Sequence, residues 1–297
     1  MITLSNDTWK LLVAPDVGAS IAGLYANLHG SWQALMREAP DTALESGNPS
    51  NFSSFTLAPF SNRIKRARFD FLGETYQLRA TSADGNTQHG DVRSRPWQTL
   101  KVSDTELVFS LDTKAFPDFN FPFPFYMTIR YFLEGKLFGT ALSLENTGEY
   151  AMPAGFGIHP YFNQSLAGVK AHLSFKAEGL YEVDSETIPT GKVAKPDGAY
   201  AFETARQVDV ALNHLYRDWS ELKLNWPDVA TLEISADPLF KHLIVFTHAD
   251  GSLALEPVSN ATDGFNLMNQ DFAGHGVQIL QPGETMSGSI YLKLESP

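Results

Sequence analysis

The chain has no cysteine among its 297 residues. That single absence removes disulfide staples, thiol nucleophiles, cysteine zinc sites and cysteine-ligated iron–sulfur clusters, and it fits a reducing compartment. Basic residues are scarce too: 22 Lys and Arg stand against 34 Asp and Glu, a formal charge of −12. A surface of that sign repels phosphate backbones and anionic lipid, so neither nucleic acid nor a membrane is an expected partner. No window comes near the roughly 18 uninterrupted apolar residues that a membrane-spanning helix needs. The amino terminus, MITLSNDTWKLLVAPD, has no basic stretch followed by an apolar run. No secretory signal is read there, and the cytoplasm is the expected compartment. Charged residues are few, 19% against 43% hydrophobic, which excludes intrinsic disorder. At this length a fold buries roughly three quarters of its unfolded surface, enough for a core without metal or disulfide.

Familiar catalytic signatures are missing as well. There is no phosphate-binding G-x-x-x-x-G-K-[ST] loop, no G-x-S-x-G elbow and no H-E-x-x-H. Gly155-Phe-Gly157 is half a dinucleotide fingerprint, with Pro160 in the place of the last glycine. The eight histidines include no close pair at helical metal spacing, so no structural metal is expected.

Short runs rich in β-branched and aromatic residues are abundant. They cover 9–13, 20–25, 68–72, 106–111, 125–133, 137–144, 231–234, 243–247, 253–256 and 289–294, with turn residues between them. Glu134-Gly135-Lys136 reads as the turn of a hairpin. The segment 41–54 is polar and reads as a loop or a short helical turn. The best helical signal is 208–219, where Val208, Leu212, Leu215 and Trp219 fall on one face. Strands at this density without alternating helices predict an all-β fold, a large antiparallel β-sandwich with few short helices. No repeat, low-complexity tract or linker divides the chain, so a single domain over 1–297 is expected.

Four polar residues sit in unusual settings. Arg63, in Ser61-Asn62-Arg63-Ile64, could offer a planar fork of donors to ligand hydroxyls, or could pair with a surface carboxylate. His89 precedes Gly90 in a loop, where glycine would let a ligand approach the backbone; a solvated loop histidine is the alternative. His159 is followed by Pro160, which restricts it to extended backbone and fixes its direction, as acid–base chemistry requires of a titratable group. It could equally be a satisfied core histidine. Glu256, followed by Pro257, ends an apolar stretch; burial there would raise its pKa toward that of a useful base, whereas on an edge strand it would simply keep the sheet soluble. The aromatic and proline-rich segment 116–126 reads as a packed loop.

Taken in order, these segments resemble the aldose 1-epimerase (galactose mutarotase) family. The match runs from Asn62-Arg63-Ile64 through Phe69-x-Phe-x-Gly-x-x-Tyr-x-Leu78 and His89-Gly90, and continues with Pro122–Tyr126, Tyr131-x-Leu133 and Leu144-x-Asn146. It ends with Met152-Pro-Ala-Gly-Phe-Gly-Ile-His-Pro-Tyr-Phe162 and Leu255-Glu-Pro257. The resemblance implies a large antiparallel sandwich and an isomerase of carbohydrate metabolism that interconverts hexose anomers without cofactor or metal. Apart from the resemblance, an acidic monomer is the plain expectation, and an open sheet edge could equally mediate a homodimer. It implies Glu256 as general base, His159 as general acid, and His89, Arg63 and Asn62 as substrate-binding residues. Asn213 stands where the family has an aspartate, which leaves the preferred sugar open; Asp209 or Asp218 could compensate. Lys65, Arg66, Arg68, Arg93 and Arg95 lie near these segments in sequence. They could clamp a phosphate, which would make the substrate a hexose 6-phosphate, or they could lie on outward strand faces. A sugar-binding protein without turnover is the remaining alternative.

Overall fold

The computed structural model describes residues 1–295. Its largest element is an antiparallel sheet of 14 strands, and a four-stranded antiparallel sheet (Ile2–Ser5, Trp9–Ala14, Ser20–Leu28, Ser31–Ala34) is laid on one part of it. Alternation explains why the two layers stack. In Phe125–Glu134 the side chains of Phe125, Met127, Ile129, Tyr131 and Leu133 are buried. Its hairpin partner Leu137–Asn146 adds Phe138, Leu142 and Leu144. Trp9 of the smaller sheet meets Phe138 with ring centroids 6.1 Å apart. Tyr131 donates its hydroxyl proton to the Ala19 carbonyl at 2.8 Å, closing the seam. Period-two patterning of this kind is what a half-buried strand demands.

The turn expected at Glu134–Lys136 forms a two-residue loop of Gly135 and Lys136, with Gly135 at φ 58°. Segment 41–54 holds one helical turn, Ala43–Ser46, and the 3-10 turn Pro49–Asn51. The aromatic segment packs as expected, with Phe121, Phe123 and Phe125 buried.

The expected helix over 208–219 does not form. Residues from Asn213 onward belong to the strand Asn213–Trp226, paired with His172–Val183, Ala230–Ala236 and His242–Thr247. Asp218 and Glu221 adopt left-handed backbone (φ 51° and 54°) and break the strict in–out alternation. The resulting spacing of apolar residues imitates a helical period.

Ser252–Val258 is buried at every position because it lies inside the sheet and is covered on both faces. Glu256 is therefore in a central strand, not an edge strand. One flank of this strand pairs with Tyr161–Asn163 (Tyr161↔Ala254) and, further on, with Gly157–Ile158 (Gly157↔Val258). Between these two pairings the ladder is interrupted at His159-Pro160. Continuing either register brings His159 opposite Glu256. Neither Pro160 nor Pro257 has an N–H to leave unpaired at the gap. Gly157 is needed beside it, since a Cβ there would fall 2.6 Å from the Pro257 carbonyl oxygen.

Candidate active site

At that gap His159 Nε2 lies 3.2 Å from Glu256 Oε1, with both side chains buried. The histidine ring is held between two aromatics: Phe55 stacks at 4.7 Å and Tyr161 lies at 4.5 Å. The His159 backbone N–H donates to the Phe55 carbonyl, which sets the height of the first stack. Tyr161 is in turn covered by the Arg37 guanidinium, 3.4 Å from its ring centroid, and Arg37 is paired with Asp250 at 3.1 Å. These contacts fix the His159–Glu256 pair from several sides. Glu256 Oε2 and His159 Nδ1 are buried with no hydrogen-bond partner.

The electrostatics follow from burial. It pushes the Glu256 carboxyl well above its ordinary range, against the pull of Arg63. It holds His159 well below its ordinary value, and the charges of Arg93 and Arg37 add to the shift. Burial thus disfavours the charged form of both groups, and the uncharged pair is the arrangement it favours.

His89 reaches the same cleft from the short ladder Arg63–Ile64 against Thr87–Gln88. Left-handed residues flank that ladder, Asn62 at φ 56° and His89 at φ 64°, and the His89 N–H donates to the Asn62 carbonyl at 2.7 Å. His89 sits edge-on to His159 with ring centroids 5.3 Å apart, and burial pulls its pKa well below the usual value. Arg63 donates from Nη1 to Asn62 Oδ1 at 2.9 Å, and its Nε is 3.7 Å from Asp84. Asp263 secures this segment: its N–H donates to the Arg63 carbonyl and its Oδ1 accepts from the Lys65 N–H. Asn213, at the start of its strand, completes the cleft with Phe246 and His248. The volume is about 280 Å³, just below the roughly 300–1,000 Å³ of pockets for drug-sized ligands, which suits a monosaccharide.

All six expected site residues, Glu256, His159, His89, Arg63, Asn62 and Asn213, thus line one cleft. Other expectations need correction. The space beside Gly90 is taken by protein, because a Cβ there would lie 1.7 Å from the Ala58 carbonyl oxygen; no ligand approaches it. Asp209 is exposed and Asp218 pairs with Arg217 at 2.8 Å, and neither lines the cleft. The five-cation clamp is not assembled. Lys65 is bound to Asp184 and Glu186, Arg68 lies 3.9 Å from Asp70, and Arg95 holds Asp91 and Asp118. Arg66 is exposed, and only Arg93 of the five faces the cleft.

Sequence reasoning missed Phe55 and His248. Nothing local marks Phe55, whereas His248 lies at a strand end ahead of the Asp250-Gly251 turn, a placement that could have been noticed. A second cleft, of about 330 Å³, lies around His242 and Tyr181. There both His242 ring nitrogens already face backbone carbonyls, of Ser259 and Gly274, so that group is committed to the fold.

The family model described as aldose 1-epimerase matches residues 1–293, beyond the 55–260 over which the motifs themselves are read. The chain is 25% identical to the uncharacterised Escherichia coli protein YphB over 99% of its own length and 98% of that protein's. It is 26% identical to the aldose 1-epimerase of Escherichia coli over 64% of this chain and 56% of that one. A galactose mutarotase-like protein from Clostridium acetobutylicum superposes with a TM-score of 0.87 at 19% identity, covering 99% of this chain and 95% of that chain. An aldose epimerase homologue from C. elegans gives 0.84 at 18%, covering 99% and 98%. At these identities the solved structures speak for the fold alone.

Proposed function

The chain belongs to the aldose 1-epimerase family, and from that premise we propose that it interconverts the α and β anomers of a hexopyranose by acid–base ring opening. The observation that carries this reading is the buried Glu256–His159 pair, whose Oε1 and Nε2 lie 3.2 Å apart.

In the closed-ring complex the pair is charged, with Glu256 as carboxylate and His159 as imidazolium. Glu256 takes the proton of the anomeric hydroxyl, and the O–H electrons form the C1=O1 double bond. The C1–O5 bond breaks, and its electrons go to the ring oxygen, which takes the proton of His159. The result is an open aldehyde facing a neutral Glu256 and a neutral His159. The C1–C2 bond turns by half a revolution, and the steps reverse to close the other anomer. Burial favours the neutral pair, so the environment stabilises the enzyme form that exists opposite the open chain. In this reading Arg63, His89, Asn62 and Asn213 hold the sugar hydroxyls. The Asn213 amide both donates and accepts, which an aspartate could not do.

Polarimetry of freshly dissolved α-D-glucose and α-D-galactose tests the proposal. Faster decay to the equilibrium rotation with protein present supports it. Calorimetric binding without faster decay would favour a sugar-binding role instead.

The pH profile should be informative. A free histidine acid would lose its proton near pH 6.5, and the rate would fall there. Here burial lowers His159 and raises Glu256; a pair that shares one proton loses its active form only when it gains a second proton or gives up the last one. kcat/KM is expected to stay flat through about pH 6.5. A one-proton decline centred there would contradict the shared-proton description.

A further inference from the structure

We propose that Arg37, which stands behind the cleft, is a positioning residue: its guanidinium holds both rings that sandwich His159 and so aims the acid. This rests on the ring-opening reading above and deepens it by adding a residue that does not meet the sugar.

The first support is where the donors of Arg37 go. Nε and Nη2 donate to the Phe52 carbonyl at 3.2 and 3.0 Å, and Nη2 also donates to the Ser50 carbonyl at 2.6 Å. Nη1 donates to Asp250 Oδ2 at 3.1 Å. Every arm of the fork is thus committed to the protein. The side chain is 12% exposed and does not line the cleft. A planar fork bound on each arm stays in one place, as a lysine on its flexible stem would not.

The second support is what the fork holds. The Ser50 and Phe52 carbonyls belong to the segment that runs on to Phe55, the ring stacked on His159 at 4.7 Å. The guanidinium lies over Tyr161, 3.4 Å from its centroid, and Tyr161 is the second ring against His159, at 4.5 Å. The Arg37 N–H donates to the Tyr161 carbonyl at 3.0 Å, so main chain and side chain grip the same residue. One residue therefore ties together both walls of the slot that holds the imidazole. In the proposed cycle that imidazole must point at O5, and its direction is set by these two rings.

The third support is charge. Burial first, and then the charges of Arg93 and Arg37, hold His159 below its usual value, with His248 acting in the same sense. Glu256 faces the ring at 3.2 Å and His89 lies edge-on at 5.3 Å, while Arg63 acts on Glu256. Among these charged and titratable groups Arg37 alone lies outside the cleft lining. Its charge can be removed without removing a group that lies against the sugar.

The test is anomer exchange measured by proton NMR on D-glucose, D-galactose and D-glucose 6-phosphate, with wild type, Arg37→Met, Arg37→Gln and Arg37→Lys. Rates are taken across the pH range in which circular dichroism shows each fold intact. The Met and Gln variants lose both charge and fork, and Gln keeps a donor for one carbonyl should Met prevent folding. Arg37→Lys keeps the charge alone. In the neutral variants kcat is expected to fall by up to about 100-fold, the cost of a misaimed catalytic group, with KM within about twofold of wild type. The acid limb of kcat/KM should move to higher pH, because one repelling charge is gone and His159 takes up a proton more readily. Arg37→Lys should return the limb to its wild-type position and restore kcat only in part. The limb and KM do not depend on the fraction of protein folded. An unchanged kcat would overturn the inference, and so would a fall in kcat with the limb unmoved in the neutral variants, which is the mark of a purely structural residue. A KM that rises as far as kcat falls would place Arg37 on the sugar and contradict it as well. No exchange by wild type on any of the three sugars would overturn ring opening itself, and the role of Arg37 with it.

Discussion

Glu256→Gln is expected to lower the catalysed rate of anomer exchange by about 10²–10⁴, and His159→Asn by a similar factor. Gln keeps the size of the side chain and loses its ability to take the anomeric proton. Asn keeps a polar group near Glu256 and loses the proton owed to the ring oxygen. Because one proton serves both residues, the two changes should not add: the double variant should be about as slow as either single one, as in other catalytic groups that act as a unit. The measurement is kcat/KM for the preferred sugar in all four proteins. Fully multiplicative losses would indicate two independent groups and would contradict the pairing. Neither variant should lose the fold. Glu256→Gln keeps the size of a side chain whose uncharged form burial already favours, so it adds no buried charge.

Gly90→Ala carries the largest expected effect on stability. The position has φ +69°, and the new methyl would fall 1.7 Å from the Ala58 carbonyl oxygen, a backbone atom that cannot step aside alone. Left-handed strain and overpacking together should cost about 2–4 kcal/mol, or a fall of roughly 4–10 °C in Tm for a chain of this size. Gly85→Ala is the control, since Gly85 also has positive φ (+80°) but nothing lies within 4 Å of its missing Cβ. It should cost only about 1 kcal/mol of backbone strain. Thermal unfolding of the two variants separates close approach from conformation. Equal losses would mean that the Ala58 contact contributes nothing. Displacing Gly90 also moves His89, so Gly90→Ala should weaken substrate binding in the protein that remains folded.

Much of this was legible in the sequence, for reasons that can be named. Strands such as Phe125–Glu134 announce themselves because one face is core and the other is not. His159 and Glu256 stood out through the prolines that follow them, and the same prolines mark the break in the ladder where the two meet. What the sequence concealed depends on contacts between distant segments. The strand Asn213–Trp226 hid behind the kinks at Asp218 and Glu221, which scramble its alternation. Of Lys65, Arg66, Arg68, Arg93 and Arg95, none differs locally in a way that says which faces the cleft. Arg93 does so because the turn Val92–Ser94 is packed under Gly18, whose missing side chain leaves room for the Arg93 backbone. Gly90 was read as an opening for ligand because a sequence shows that a glycine is present and not what lies against it.

The most direct test of the ring-opening account is exchange NMR on a sugar already at anomeric equilibrium, with oxygen-18 at C1. Ring opening breaks C1–O5 and keeps the label, so α-to-β exchange should accelerate in proportion to protein while the oxygen-18 stays on C1 beyond its spontaneous loss. Accelerated exchange accompanied by loss of label at the same rate would mean that the C1–O1 bond is the one broken, and roles for Glu256 and His159 as base and ring-oxygen acid would be wrong.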